Sequence, residues 1–282
     1  MKFSFQPLQN RIVKEPAPEP TSLLKAVSIV WPVLVYNVIS QTVLIVFAYF
    51  MQWISLENGN MLPVAEWIRA HSVLISGVVK ALSMAAGAGA VCHIFIRETP
   101  VITMPQGHKK DFGILFILGG CAALAVNILF SLIGFTGSSD AYEQVAKEQF
   151  AFPLWAGIIL YGIVSPLAEE IVFRGIVYNR MHRQYGKWIA IIGSALLFGV
   201  YHGNVVQALY GFMIGVLIEV LYEKYGSFAV PVILHSAANI FVYVATSVPV
   251  LQKNCMNLAA FLGSMVLFMV LLAGCLSKKE GE

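Results

Sequence analysis

Two adjacent carboxylates, Glu169 and Glu170, lie in an otherwise apolar stretch of a strongly hydrophobic chain, and Arg174 follows them. A charged side chain at the centre of a membrane helix costs at least about 2.5–3.5 kcal/mol on insertion scales, so such residues are usually paired, hydrated or required for chemistry. Two further polar clusters, around His202 and His235, lie in later apolar segments. Together the three clusters indicate a reaction centre within the bilayer.

The spacing of the first cluster places Glu169 and Glu170 on different faces of a helix. Residues four apart share a helix face, so Glu170 and Arg174 can form an ion pair within one helix. Glu169 points about 100° away from Glu170, which leaves it free to face other helices as the candidate general base. A purely structural ion pair is the alternative for Glu170 and Arg174. Pro166 predicts a kink that opens the helix to water beside the acids, although a packing kink fits equally well.

The second and third clusters each combine two side chains on one helix face. Phe198 and His202 are four residues apart, and so are His235 and Asn239. Histidine can hold or pass a proton near pH 7, and an asparagine amide can stabilise an oxyanion. We expect Glu169 and His202 to activate a water molecule while His235 and Asn239 face the oxygen that becomes negative. Phe198 is expected to pack against the site and limit water access.

Two other chemistries use the same residues or their neighbours. One glutamate and two histidines match a zinc ligand set, so Glu169, His202 and His235 form a possible site for a divalent metal such as zinc. The spacing leaves a metal-bound water and a directly activated water both open. Ser165 and Ser236 lie near the clusters without a base in a recognisable arrangement. We interpret both as helix-packing residues, which disfavours a covalent nucleophile.

Composition indicates the class of protein that positions these residues. The chain has 282 residues, of which 58% are hydrophobic and only 12% are charged, whereas soluble domains carry about 25% charged residues. We therefore predict an all-α, polytopic bundle in a lipid bilayer. The net charge of +3 is modest, and we expect no nucleic acid as a partner.

Eight segments are long and apolar enough to be candidate spans, and the fifth is short. They are approximately 27–54, 72–96, 112–135, 153–180, 188–202, 205–223, 227–247 and 256–276. We predict one transmembrane domain, 27–276, between a disordered cytoplasmic tail, 1–26, and a second cytoplasmic tail, 277–282. A short surface helix is plausible at about 140–149, but a solvated connector is the favoured interpretation of this segment.

The distribution of lysine and arginine predicts the orientation. With eight spans and a cytoplasmic N-terminus, the inside segments hold thirteen of these residues and the outside segments three. Both termini are therefore expected in the cytoplasm, and we separately expect the membrane to be a bacterial cytoplasmic membrane. Measured from the cytoplasmic helix ends at 1.5 Å per residue, His235 lies about 12 Å deep, Glu169 about 16 Å and His202 about 22 Å. Tilt or a broken fifth helix must bring them level, and we predict a cavity that opens toward the cytoplasm.

The three clusters together resemble the CPBP family of intramembrane proteases, also called the Abi family, which includes the type II CAAX prenyl endopeptidases. The family pattern is EExxxR, then FxxxH, then HxxxN or a close variant. Here E-E-I-V-F-R begins at Glu169, F-G-V-Y-H begins at Phe198, and H-S-A-A-N begins at His235. The resemblance covers residues 155–245, which we take as the catalytic core.

The resemblance implies an eight-helix fold and cleavage of peptide bonds in or near the membrane. It implies that Glu169 and His202 activate water, that His235 and Asn239 stabilise the oxyanion, and that Glu170 and Arg174 orient the first motif. The family has been described both as metalloproteases and as metal-independent glutamate proteases, so the metal alternative stays open. A non-catalytic scaffold or bacteriocin-immunity protein of the same fold is the competing function. A transporter is disfavoured, because no continuing chain of acids reaches the other side.

Overall fold

A computed structural model describes residues 21–56, 62–99 and 111–277 of the chain. Within these ranges the secondary structure is helical and contains no strand, which confirms the predicted all-α fold. The predicted tails lie mostly outside the described residues, namely 1–20 of the first and 278–282 of the second. Helices are the expected solution for such apolar segments, because a chain in lipid must satisfy its backbone hydrogen bonds internally.

Eleven helices follow one another along the described ranges. They are α1 (Ser22–Leu56), α2 (Leu62–Ala70), α3 (Ser72–Glu98), α4 (Phe112–Leu132), α5 (Asp140–Phe150), α6 (Leu154–Tyr185), α7 (Lys187–Tyr201), α8 (Val205–Tyr225), α9 (Ala229–Ser247), α10 (Pro249–Cys255) and α11 (Leu258–Ser277). Residues 140–149 form a helix, α5, so the favoured interpretation of this segment as a solvated connector was wrong and the short helix is what the structure contains. Its first turn is capped by Ser139, whose side chain accepts a hydrogen bond from the Tyr142 backbone N–H.

Seven of the described helices are long and apolar enough to cross a membrane: α1, α3, α4, α6, α8, α9 and α11. The chain is therefore a polytopic integral membrane protein. The fifth predicted segment corresponds to α7, which has only 15 residues and is too short to count with the others. With α7 included, every one of the eight predicted segments is a helix.

Polar contacts show which helix ends lie together. Arg180, near the end of α6, forms an ion pair with Glu98 at the end of α3, and it also donates to the Ser28 carbonyl near the start of α1. We call this the Arg180 end of the bundle. Glu148 of α5 pairs instead with Lys80 near the start of α3, at 3.6 Å. The opposite end of the bundle, which carries α5, is called the α5 end.

Glycines allow the helices around the candidate site to approach closely. A Cβ atom on Gly119 of α4 would lie 2.6 Å from the carbonyl oxygen of Leu234 in α9. A Cβ atom on Gly162 of α6 would lie 2.4 Å from the side chain of Ile240, also in α9. Small residues at helix contacts are the usual means of close packing in membranes. Together these contacts hold α9, which carries His235, against both α4 and α6.

Candidate active site

Helix α6, which carries the first motif, is not a regular α-helix. Two π-helical turns, Leu160–Val164 and Phe173–Tyr178, flank the α-helical segment Ser165–Val172. Proline at 166 removes one backbone donor and crowds the carbonyl four residues earlier, a position inside the first π-helical turn. The predicted irregularity therefore takes the form of a π-helical turn. Such turns occur frequently at functional sites.

Glu170 and Arg174 form the predicted ion pair within α6. Both side chains are fully buried, and Arg174 Nη1 donates to Glu170 Oε1 at 2.9 Å. His235 Nδ1 lies 2.6 Å from the same Glu170 oxygen. A carboxylate oxygen only accepts, so the Nδ1–H of His235 is the donor. The pair therefore also holds the histidine of a second helix, α9.

Glu169 faces a different set of partners, as the helical spacing predicted. Its Oε1 accepts a hydrogen bond from Ser165 Oγ at 2.5 Å. Its Oε2 lies 3.7 Å from His235 Nε2, which is longer than a hydrogen bond. The interpretation of Ser165 as a helix-packing residue was wrong, because its hydroxyl binds the candidate base. The signal was present in the sequence, since Ser165 and Glu169 are four residues apart.

His202 immediately follows the last residue of α7. Its Nδ1 lies 2.8 Å from the Phe198 carbonyl oxygen, which can only accept, so Nδ1 carries the hydrogen. A neutral His202 therefore has its free electron pair on Nε2. Gly203, with a φ of +74°, reverses the chain after this residue. Asn204 then caps α8 by accepting a hydrogen bond from the Gln207 backbone N–H at 2.9 Å.

Phe198 connects the three motifs through its ring. The ring centre lies 4.9 Å from that of His202 and 5.4 Å from that of His235, nearly perpendicular to each. The Arg174 guanidinium lies over the same ring, 4.5 Å from its centre.

Asn239, one turn after His235, donates from Nδ2 to the Tyr161 carbonyl at 2.8 Å. That carbonyl belongs to the first π-helical turn of α6.

The four predicted catalytic side chains line one cavity of about 240 Å³. They are Glu169, His202, His235 and Asn239, and Ser165 and Phe198 line the same cavity. Glu170 and Arg174, which were predicted to orient the first motif, do not line it and lie buried behind it.

The cavity extends from Glu169 and His235 to α5, where Tyr142 and Gln149 form part of its wall. The α5 end lies opposite the Arg180 end, which the lysine and arginine distribution predicts to be cytoplasmic. The cavity therefore extends toward the end opposite the predicted cytoplasmic end, because α5 joins α4 to α6 there and His202 lies at the same end. The predicted orientation and the predicted opening toward the cytoplasm stay predictions.

One buried acid near the site was not recognised from the sequence. Glu219 of α8 is fully buried, and its Oε1 lies 3.5 Å from Arg174 Nε. By strict hydrogen-bond geometry neither oxygen of Glu219 is paired among the described residues, although the Ser194 side chain and the Ala195 backbone lie close to it. The sequence did contain a signal, because Glu219 is an acid within the apolar run GFMIGVLIEVLY. Placing a charged side chain within a membrane helix costs free energy, as it does for Glu169 and Glu170. Arg174 thus lies between two carboxylates from different helices.

In the described residues, the side chains predicted as possible metal ligands do not come together as a metal site. In the part of the chain that the structure describes, no group of three or more His, Cys, Asp or Glu side chains could hold a metal ion. His235 has one ring nitrogen on Glu170 at 2.6 Å and the other facing Glu169 at 3.7 Å. The three-ligand set of Glu169, His202 and His235 therefore gains no support, and it stays a prediction from the sequence.

Comparison with known proteins agrees with the motifs. Residues 151–241 match the model of the family described as "Type II CAAX prenyl endopeptidase Rce1-like". This range contains all three motifs, so the resemblance seen in the sequence is confirmed over about the same residues. No solved structure matches the chain.

Curated bacterial proteins are similar at low identity. "Putative membrane peptidase YdiL" of Bacillus subtilis is 25% identical over 185 residues, which are 62% of this chain and 75% of that protein. "UPF0177 protein YxdF" of Lactococcus lactis is 29% identical over 119 residues, 42% of this chain and 62% of that protein. An "Uncharacterized 24.3 kDa protein" of Escherichia coli is 28% identical over 153 residues, 51% of this chain and 67% of that protein.

Proposed function

We propose that this protein is an intramembrane endopeptidase that hydrolyses a peptide bond of a membrane-associated protein or peptide. The observation that carries the proposal is the shared cavity, which an acid, two imidazoles and an amide line from three separate helices. These side chains are the set that activates water and stabilises an oxyanion. The match to a membrane endopeptidase family over residues 151–241 supports the same class of reaction.

In the proposed reaction, Glu169 is the general base. Its carboxylate takes a proton from a water molecule held between Glu169 and His202, and the water oxygen attacks the carbonyl carbon of the peptide bond. The hydrogen bond from His202 Nδ1 to the Phe198 carbonyl supports this role, because it leaves the electron pair on Nε2. Ser165 donates to the other side of the Glu169 carboxylate and orients it.

The second half of the reaction stabilises negative charge and returns the proton. His235, held through Nδ1 by Glu170, donates from Nε2 as an imidazolium to the carbonyl oxygen as it becomes negative. The Asn239 amide donates to the same oxygen. The carbon–nitrogen bond then breaks as Glu169 passes its proton to the leaving amine, which regenerates the carboxylate.

The test uses the full-length protein in liposomes with a mixed-sequence peptide library that contains both charged and uncharged residues. New peptide ends are identified by mass spectrometry. We expect cleavage by the wild type and none by Glu169→Gln, which keeps the shape of the side chain and removes the base. Glu143→Gln on α5 is the matched control, because Glu143 is exposed and does not line the cavity.

Equal cleavage by Glu169→Gln and the wild type would overturn the proposal, provided that both variants insert and unfold at similar temperatures. A cellular phenotype that persists unchanged in Glu169→Gln would favour the non-catalytic scaffold or immunity role.

A further inference from the structure

Helix α5 forms one wall of the cavity with a single face. The residues that line the cavity follow helical spacing: Tyr142, Val145, Ala146, Gln149 and Phe150. The charged residues of the helix, Asp140, Glu143, Lys147 and Glu148, do not line the cavity and are exposed. The helix therefore presents an uncharged surface to the cavity and its charges elsewhere.

The C-terminal part of α5 is attached to the rest of the bundle. The Tyr243 hydroxyl donates to the Phe152 carbonyl at 3.0 Å and lies 3.3 Å from the Gln149 carbonyl. Glu148 forms its ion pair with Lys80 of α3 at 3.6 Å. These contacts hold the face that bears Val145 and Gln149 in a defined position, so this face can discriminate between substrates.

Few of the residues that line the cavity carry a charge. Among the residues that line it, all within the described ranges, Glu169 is the single carboxylate, and there is no lysine or arginine. The remaining polar groups are the two imidazoles and uncharged amides and hydroxyls, including Asn127, Gln149 and Gln207. Amides and hydroxyls can hydrogen-bond a peptide backbone but cannot compensate a buried charge.

These observations restrict what can enter. An acidic side chain or a free C-terminal carboxylate next to the reacting bond would lose its hydration, face Glu169 and meet no lysine or arginine. The charge of the His235 imidazolium is already compensated by Glu170, whose Oε1 lies 2.6 Å from His235 Nδ1. A lysine or arginine would pair with Glu169 and occupy the proposed base. Because the cavity has a volume of only about 240 Å³, the restriction applies to the residues next to the reacting bond.

We infer that the substrate is an uncharged internal segment of a polypeptide, which enters past α5, and that the cavity-facing side of α5 selects it. This inference rests on the proposed function and deepens it. It excludes cleavage directly beside a free chain terminus and assigns specificity to Val145 and Gln149. Residues on the outer face of α5 have no part in the selection.

The inference is tested by the cleavage profile and by a change of charge in the wall. In the liposome library, the wild type should cleave at bonds flanked within two positions by uncharged residues. Val145→Arg places a cation in the wall, and we expect the ratio of acidic to neutral flanking residues to rise about tenfold. Ala141→Arg is the matched control, because Ala141 is exposed on the same helix and does not line the cavity. Its profile should equal that of the wild type.

The outcomes separate the inference from the proposed function. Absence of any Glu169-dependent cleavage would overturn the proposed function itself. Cleavage that prefers charged flanks in the wild type, or that occurs beside free carboxyl termini, would overturn the inference and leave the function standing. Equal changes of the cleavage profile in Val145→Arg and Ala141→Arg would also overturn the inference and leave the function standing. If Val145→Arg does not fold, Gln149→Lys replaces it with the same expected shift.

Discussion

His235 Nδ1 and Glu170 Oε1 lie 2.6 Å apart, although 65 positions separate the residues in the chain. The same carboxylate oxygen accepts a hydrogen bond from Arg174 at 2.9 Å. A residue that was expected only to orient its own motif therefore also holds the imidazole of another helix. The buried ion pair and the candidate oxyanion site are parts of one network.

Loss of Arg174 should destabilise the protein strongly. Arg174→Met would leave Glu170 and Glu219 buried without their cation, and breaking a buried pair costs about 3–5 kcal/mol. The free energy of unfolding in mixed micelles measures this change. Arg183→Met is the matched control, because Arg183 pairs with Glu98 at an exposed position, where ion pairs contribute at most about 1 kcal/mol. Equal losses in the two variants would contradict the prediction.

The two acids on either side of Arg174 should differ in their contribution to stability. Glu170 Oε1 takes part in hydrogen bonds of 2.9 and 2.6 Å, whereas the nearest charged contact of Glu219 is 3.5 Å long. A hydrogen bond to a charged group contributes about 1.5–3 kcal/mol. We therefore expect Glu170→Gln to lower the free energy of unfolding by at least about 1.5 kcal/mol more than Glu219→Gln. The reverse order in chemical denaturation would show that Glu219 is the principal partner of Arg174.

The Asn239 amide should contribute to the chemical step. Removing one oxyanion donor typically lowers kcat by about 10²–10³-fold, and we expect a loss of this size in Asn239→Ala with little change in KM. Kinetics on one cleaved library peptide measure both constants. Asn257→Ala is the control, because Asn257 is exposed at the start of α11. A raised KM with unchanged kcat would instead make Asn239 a substrate-binding residue.

Close packing of α4 against α9 should be necessary for the site. The Cβ atom in Gly119→Ala would meet the Leu234 carbonyl at 2.6 Å, directly before His235. Overpacking of this kind costs about 1–3 kcal/mol, and the displaced His235 should lower the rate of cleavage. Gly113→Ala is the matched control on the same helix, since its Cβ would meet nothing within 4 Å. The unfolding temperature and the cleavage rate should both be lower for Gly119→Ala than for Gly113→Ala. Identical values for the two variants would show that α9 can shift away from α4 without loss of stability or activity.

Local properties of the chain predicted much of the fold and part of the site. Apolar segments of sufficient length predicted the membrane helices, including the short α7, because the cost of burying polar groups in lipid acts on each segment separately. The 100° advance per residue predicted that Glu170 pairs with Arg174 while Glu169 faces elsewhere, which the contacts confirm. The motif spacings also identified the four side chains that share the cavity.

Contacts between helices were decided only by the tertiary structure. Three features of the site join different helices, so no residue spacing within one helix could predict them. They are the hydrogen bond from His235 to Glu170, the approach of Glu219 to Arg174 and the extension of the cavity toward α5. Counting residues along separate helices put Glu169 and His202 at different depths. In the structure both line one cavity, next to the π-helical turns of α6 and the early end of α7. These features depend on how whole helices pack, which the sequence of any one helix does not determine.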